Sequence, residues 1–132
     1  MKGLATNVSK TLIPSSVMTC ADNSGAKTIM IINKEGKAGK KGRYSHAGIG
    51  EVVVCSVKSG SPQYVKKTVR AVIIRQKQPI RRANGMRVRF EDNAGILIND
   101  LNLPIGTEVK GPVAREVIER FIKVANIASK VV

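Results

Sequence analysis

The sequence is short of nearly everything an enzyme or a secreted scaffold is built from. It has two cysteines, one histidine and no tryptophan in 132 residues. Cys20 and Cys55 stand 35 positions apart, with no Cys-x-x-Cys and no histidine cluster. That disfavours both a disulfide framework and a zinc site, and a reducing cytosol fits best. The longest apolar runs, Val52–Cys55 and Ala71–Ile74, fall far short of a membrane span. Met1–Ala5 has no apolar stretch of the secretory kind, so a soluble cytoplasmic chain is expected. Acidic residues are also few, 9 against 23 Lys and Arg, for a net charge of +14. Self-repulsion on that scale calls for an acidic partner. The hydrophobic content of 42% is enough for one packed core, so a single domain over residues 1–132 is expected.

The charge is unevenly placed. Residues 1–51 carry +5, residues 52–90 carry +10 with no Asp or Glu, and residues 91–132 carry −1. Two surfaces follow: a cationic one for a polyanion, and a nearly neutral one for other contacts. Within the basic part, Lys34–Arg43 is rich in Gly and Lys and has no apolar periodicity, as befits an exposed loop. A second cluster, Arg75–Arg82, leads to Asn84-Gly85, a hairpin-turn signal. These cations do not lie along one face of an amphipathic helix, which argues against a membrane surface.

β-branched segments bounded by turn residues dominate the first hundred positions. Strands are predicted at Val17–Cys20, Thr28–Ile32, Glu51–Lys58, Thr68–Arg75, Arg87–Phe90, Ala94–Ile98 and Glu108–Lys110. So many short strands in a small chain favour a closed barrel, which leaves no exposed edges. The barrel is expected over about 10–112. From about 113 to 130, Val117, Phe121, Val124 and Ala128 recur at helical spacing, and Glu116/Arg120 and Glu119/Lys123 form i,i+4 pairs.

Catalytic groups do not converge. His46 is a lone loop histidine, the cysteines sit in strand-like apolar settings, and Glu91-Asp92 lies between two strands. Gly48-Ile49-Gly50 lacks the third glycine of a dinucleotide loop. Neither an enzyme nor a cofactor is expected. With only Tyr44, Tyr64, Phe90 and Phe121, base stacking is a minor resource. Abundant Lys and Arg instead point to folded, mostly double-helical RNA held by phosphates and shape. Arg81, Arg82, Arg87 and Arg89 suit phosphate oxygens through their guanidinium forks, and the lysines of Lys34–Lys41 act as adaptable point charges. A free nucleic-acid chaperone or translation factor and a nucleic-acid-processing enzyme are the rival classes.

Four ordered motifs carry a resemblance: Cys20–Lys27 (CADNSGAK), Val72–Lys77 (VIIRQK), Phe90–Gly95 (FEDNAG) and Lys110–Glu116 (KGPVARE). Over Val17–Glu116 the chain resembles the universal fourteenth protein of the large ribosomal subunit. The Glu91-Asp92 form of the third motif is similar to the archaeal and eukaryotic branch. The resemblance implies a mainly β fold: a small five-stranded β-barrel with a projecting hairpin and short C-terminal α-helices. It implies binding to large-subunit rRNA and bridges to small-subunit rRNA at the inter-subunit face. Neighbouring large-subunit ribosomal proteins and an anti-association initiation factor are the implied protein partners. The RNA-binding residues expected are Lys34, Lys37, Lys40, Lys41, Arg43, Tyr44, Lys58, Lys66, Lys67, Arg75, Lys77, Arg81, Arg82, Arg87 and Arg89. The partner and bridge side is expected at Gly111, Pro112, Arg115, Glu116, Glu119 and Arg120.

Overall fold

A computed structural model describes residues 2–36 and 39–132. Five strands close a barrel: β1 (Val17–Cys20), β2 (Ala26–Lys34), β3 (Val52–Gly60), β4 (Thr68–Arg75) and, later in the chain, β7 (Ala94–Ile98). Neighbours pair antiparallel from β1 to β7. A short parallel join, Thr19 with Ala94 and Cys20 with Gly95, then closes the ring. Alternation along β3 buries Val53, Cys55 and Val57 and leaves Val54 and Ser56 half-exposed, as a barrel wall wet on one side requires. β7 is buried along its whole length, so both of its faces are covered. The five strands fall where the sequence places them, with β2 longer by two residues at each end and β3 starting one residue later and ending two residues later than expected.

Between β4 and β7 a separate two-stranded hairpin, β5 (Ile80–Arg81) and β6 (Arg87–Val88), stands outside the barrel sheet. Its tip is a three-residue loop. The Gly85 N–H donates to the Arg82 carbonyl and the Arg82 N–H to the Met86 carbonyl, both at 2.9 Å, with Gly85 at φ +83°. Gly85 therefore takes the left-handed bulge position that a side chain would disfavour, and Asn84 Oδ1 accepts the Met86 N–H.

The C-terminal segment differs from the helical stretch expected over 113–130. β8 (Val109–Val113) is followed by α1 (Arg115–Arg120) and α2 (Ile122–Ala125), and the chain finishes in β9 (Ala128–Val131). β9 pairs parallel to β8, which supplies β8 with backbone partners that a continued helix could not. Phe121, at φ −126° and ψ 78°, breaks the helix in two. Its ring is buried with Val117 and Val124, so the helical apolar spacing marks a real core face. The i,i+4 charge pairs do not form as expected. Glu116 turns to Arg82, and the break at Phe121 separates Glu119 from Lys123.

Candidate nucleic-acid interface

One end of the barrel gathers the connection between β2 and β3 and the β5–β6 hairpin. The chain's first residues tie the two together. The Asn7 N–H donates to the Arg81 carbonyl, and the Leu12 N–H donates to the Ala47 carbonyl, both at 3.0 Å. Gln76, fully buried, completes the joint. Its Oε1 accepts the Ile49 N–H at 3.1 Å, while its Nε2 donates to the Ser9 and Gln78 carbonyls. Every polar atom of the amide is thus engaged, as burial demands. Glu51 anchors the loop from beneath: its carboxylate accepts from Lys10 Nζ at 2.9 Å, Lys34 Nζ at 2.8 Å and the Gly48 N–H at 3.0 Å. Burial pushes the Glu51 carboxyl up, but bonds from Lys34, Lys10 and Gly48 outweigh it and hold the group below its ordinary value.

On this frame Lys40, Lys41, Arg43, Tyr44, Lys77, Arg81, Arg87 and Arg89 are exposed. None of these cations joins an ion pair among the described residues. Tyr44 is 70% exposed, the most accessible aromatic ring near the charge. Lys58, Lys66 and Lys67 are exposed too, but at the opposite end of the barrel, where β3 passes into β4. Lys37 lies outside the described residues.

Three of the expected RNA contacts are committed inside the fold. Lys34 bonds Glu51. Arg75, 7% exposed, donates through Nε and Nη2 to the Asp92 carboxylate and through Nη1 to the Lys110 and Pro112 carbonyls. Arg82 donates Nε to Glu116 Oε1 at 3.0 Å and Nη2 to the Val132 carbonyl at 2.6 Å. Arg75 fastens the barrel to β8, and Arg82 fastens the hairpin to α1 and the last strand. Sequence shows where such arginines stand along the chain, not which of them has a carboxylate waiting across the fold.

The partner side is revised in the same way. Gly111, Arg115 and Glu119 are exposed and Pro112 is half-buried. Glu116, 1% exposed, takes bonds from Arg82 and from the Thr6 hydroxyl at 3.0 Å, so it is a structural group and not a docking residue. Burial works to raise its pKa, but Arg82, its own backbone N–H and Thr6 hold the carboxyl below its ordinary value. Arg120 bonds the Lys2 and Gly50 carbonyls. Sequence reasoning missed Gln76 and Arg70. Arg70 grips Glu35 with two nitrogens and reaches the Asn99 carbonyl and Asn102 Oδ1, joining the end of β2 to the 99–102 turn. No periodicity marks either residue.

The remaining chemistry is inert. Cys20 and Cys55 are free and buried. Burial, with Asp22 adding to it at Cys20, pushes both thiols up to about 12. His46 is exposed, and among the described residues no group of three or more His, Cys, Asp or Glu is placed to hold a metal. Among those residues, too, no helix is long and apolar enough to cross a membrane.

The described residues form a closed, basic β-barrel protein with buried thiols, several carboxylates tied up inside the fold and a set of exposed cations outside those ion pairs. The family model described as ribosomal protein L14p/L23e matches residues 11–132. Relatives named large ribosomal subunit protein uL14 are 48% identical in Halorubrum lacusprofundi, 47% in Methanocorpusculum labreanum and 46% in Methanothrix thermoacetophila. Each alignment covers 100% of both chains. The chain belongs to the ribosomal protein L14p/L23e family. Its role is accordingly structural and not catalytic, on ribosomes in the cytoplasm.

Proposed function

We propose that the chain is a constituent of the large ribosomal subunit that holds large-subunit rRNA by charge and shape. The observation that carries this reading is the cluster of exposed cations that join no ion pair among the described residues. Lys40, Lys41 and Arg43 on one segment stand with Lys77, Arg81, Arg87 and Arg89 on another, and residues 7–12 stitch the two segments together. Phosphate oxygens are the acceptors such a surface lacks. Guanidinium forks on the hairpin suit paired oxygens, and the loop lysines adapt to variable spacing. Tyr44 offers one ring for stacking. Arg75, Arg82 and Lys34 support this surface from behind.

The nearly neutral side at Gly111, Pro112, Arg115 and Glu119 faces the inter-subunit space in this reading. There it contributes to bridges with small-subunit rRNA, to contacts with neighbouring large-subunit proteins and to docking of the anti-association initiation factor. Arg115 and Glu119 carry opposite charges on one short helix, a pattern suited to protein more than to phosphate.

The test is to express a tagged chain, wash the ribosomal subunits in high salt, and crosslink and sequence the attached RNA. Retention on the washed large subunit, with crosslinks in its rRNA, is expected. Release as free protein, or label chiefly on messenger or transfer RNA, overturns the proposal.

A further inference from the structure

The tip of the β5–β6 hairpin carries a reactive group that phosphate binding does not use. The chain has eight asparagines, and Asn84 alone is followed by glycine. The side-chain carbon Cγ of an asparagine is open to attack by the backbone nitrogen of the next residue, and a Cβ on that residue crowds the approach. Each of the other seven asparagines is followed by a residue with a Cβ. The two with the smallest successors are also held in place. Asn23, before Ser24, is tied at both ends of its amide: Nδ2 donates to Thr107 Oγ1 at 2.7 Å and Oδ1 accepts the Thr107 N–H at 2.8 Å. The Ser24 nitrogen that would attack donates to Asp22 Oδ1. Asn93 accepts the Lys77 N–H, and its successor Ala94 is buried at the start of β7.

At Asn84 the surroundings favour the attack. Asn84, Gly85 and Met86 are all exposed, and the space beside Gly85 is open to water. The Met86 N–H donates to Asn84 Oδ1 at 3.0 Å, the oxygen on which negative charge develops when Cγ is attacked. Arg81 and Arg87 flank the tip, exposed and outside the ion pairs of the described residues. No Asp or Glu lies between Val52 and Phe90 in sequence. The positive field of these arginines favours both an anionic Gly85 nitrogen and an anionic oxygen. One contact opposes the reaction: the Gly85 N–H must leave its 2.9 Å bond to the Arg82 carbonyl. On an exposed tip water replaces such a bond at small net cost.

We propose that Asn84 and Gly85 form a spontaneous modification site, through which the free protein acquires a carboxylate on its hairpin tip. Base removes the Gly85 amide proton, and the nitrogen bonds to Asn84 Cγ. The Cγ–Nδ2 bond then breaks, and Nδ2 takes a proton from water and leaves as ammonia. A succinimide ring remains, which water opens at either carbonyl to give an aspartyl or an isoaspartyl linkage. In sum, one amide and one water become one carboxylic acid and one ammonia, with no oxidant or reductant. Both products set a negative charge among Arg81, Arg82 and Arg87. The isoaspartyl form also adds a methylene to the main chain inside the loop that the Arg82–Met86 and Gly85–Arg82 bonds close. Its displaced α-carboxylate is the group that isoaspartyl carboxyl methyltransferases esterify with S-adenosylmethionine, so the aged tip is a substrate for that enzyme class. The modification stands on the hairpin geometry alone; its effect on rRNA binding rests on the reading above.

The test ages the folded full-length chain at neutral pH and follows the amide-to-acid mass shift at every asparagine by peptide mass spectrometry. Digestion in heavy-oxygen water separates conversion during ageing from conversion during digestion. Asn84 should convert faster than any other asparagine by about tenfold or more, less than one donor supplies in a closed enzyme site because water shares this tip. An isoaspartyl methyltransferase with labelled S-adenosylmethionine should label the aged wild-type chain, and N84Q should lose most of that label. Conversion of another asparagine as fast as Asn84, or label that persists in N84Q, overturns the proposal. So does an Asn84 that converts in the urea-unfolded chain but stays intact in the folded one, because the hairpin then shields the amide. For the consequence, N84D, shown by circular dichroism to be folded, should bind large-subunit rRNA with a salt slope smaller by about 0.9. An unchanged slope in N84D overturns the effect on binding. A wild-type chain that binds no rRNA overturns the RNA-binding reading instead, while the mass shift still decides the modification.

Discussion

Replacing Arg82 by Ala tests directly whether that residue serves the RNA or the fold. In the structure its guanidinium is 90% buried beside a carboxylate that is 98% buried, with Nε and Nη2 on Glu116 and Nη2 also on the Val132 carbonyl. Removing one partner of such a pair leaves a charge stranded in the interior, which costs about 3–5 kcal/mol. For a domain of this size each kcal/mol moves the melting temperature by roughly 3–5 °C, so R82A should melt on the order of 10–20 °C lower. Removing both charges should cost far less, because well-packed apolar residues replace a buried pair at little penalty. R82M/E116L should therefore recover most of the loss. The pH dependence provides an independent check. The Glu116 carboxyl is held below its usual 4.5 in the folded protein. Its contribution is therefore fully present above pH about 4.5 and fades as pH falls through the folded value. In R82A burial is no longer opposed by the guanidinium, the folded value rises, and acidification should relieve the destabilisation. Urea melts between pH 3 and 7 on the wild type, R82A and the double variant measure all three effects. An R82A chain within about 1 kcal/mol of wild type that nevertheless fails to stay on washed large subunits would refute the structural assignment and return Arg82 to the RNA surface.

Three further outcomes follow from the same geometry. R87A/R89A should leave the melting temperature within about 2 °C of wild type, because both side chains are exposed and join no ion pair among the described residues, while the salt slope of rRNA binding shrinks by up to about 1.8; filter binding from 50 to 200 mM salt measures it. Cys20 and Cys55, with thiols pushed up to about 12, should resist iodoacetamide in the native protein at pH 8, where the thiolate is on the order of one part in ten thousand, and label fully in urea; mass spectrometry reads the difference. Gly111→Ala should cost about 1–3 kcal/mol in denaturant melts, because Gly111 sits at φ +81° and a Cβ there would lie 2.9 Å from Nη1 of the pinned Arg75.

How much could be read in advance follows from the range of each interaction. The barrel strands were legible because alternation and bounding turns are local: Val17–Cys20, Thr68–Arg75 and Ala94–Ile98 begin and end where their sequence patterns do. The Asn84-Gly85 turn was legible for the same reason. β9 was not. Its residues have helical spacing relative to Val117 and Val124, and only the nearby edge of β8 makes a strand the better arrangement. That much of the 52–90 run would be exposed and cationic was legible, since an acid-free run has no carboxylates close in sequence to quench it. Arg75 and Arg82 within that run have partners 17 and 34 positions further on, and no local pattern points to them.

The sequence by itself determined the kind of molecule: a small basic β domain without catalytic groups, with its positive charge in the first two thirds. Those properties are sums over residues and short periodicities, and any fold must inherit them. Only the tertiary structure decided which cations are free. An arginine buried beside a carboxylate is stabilised by that carboxylate and unavailable to phosphate, whereas one on a hairpin tip or a strand end keeps its donors for a partner.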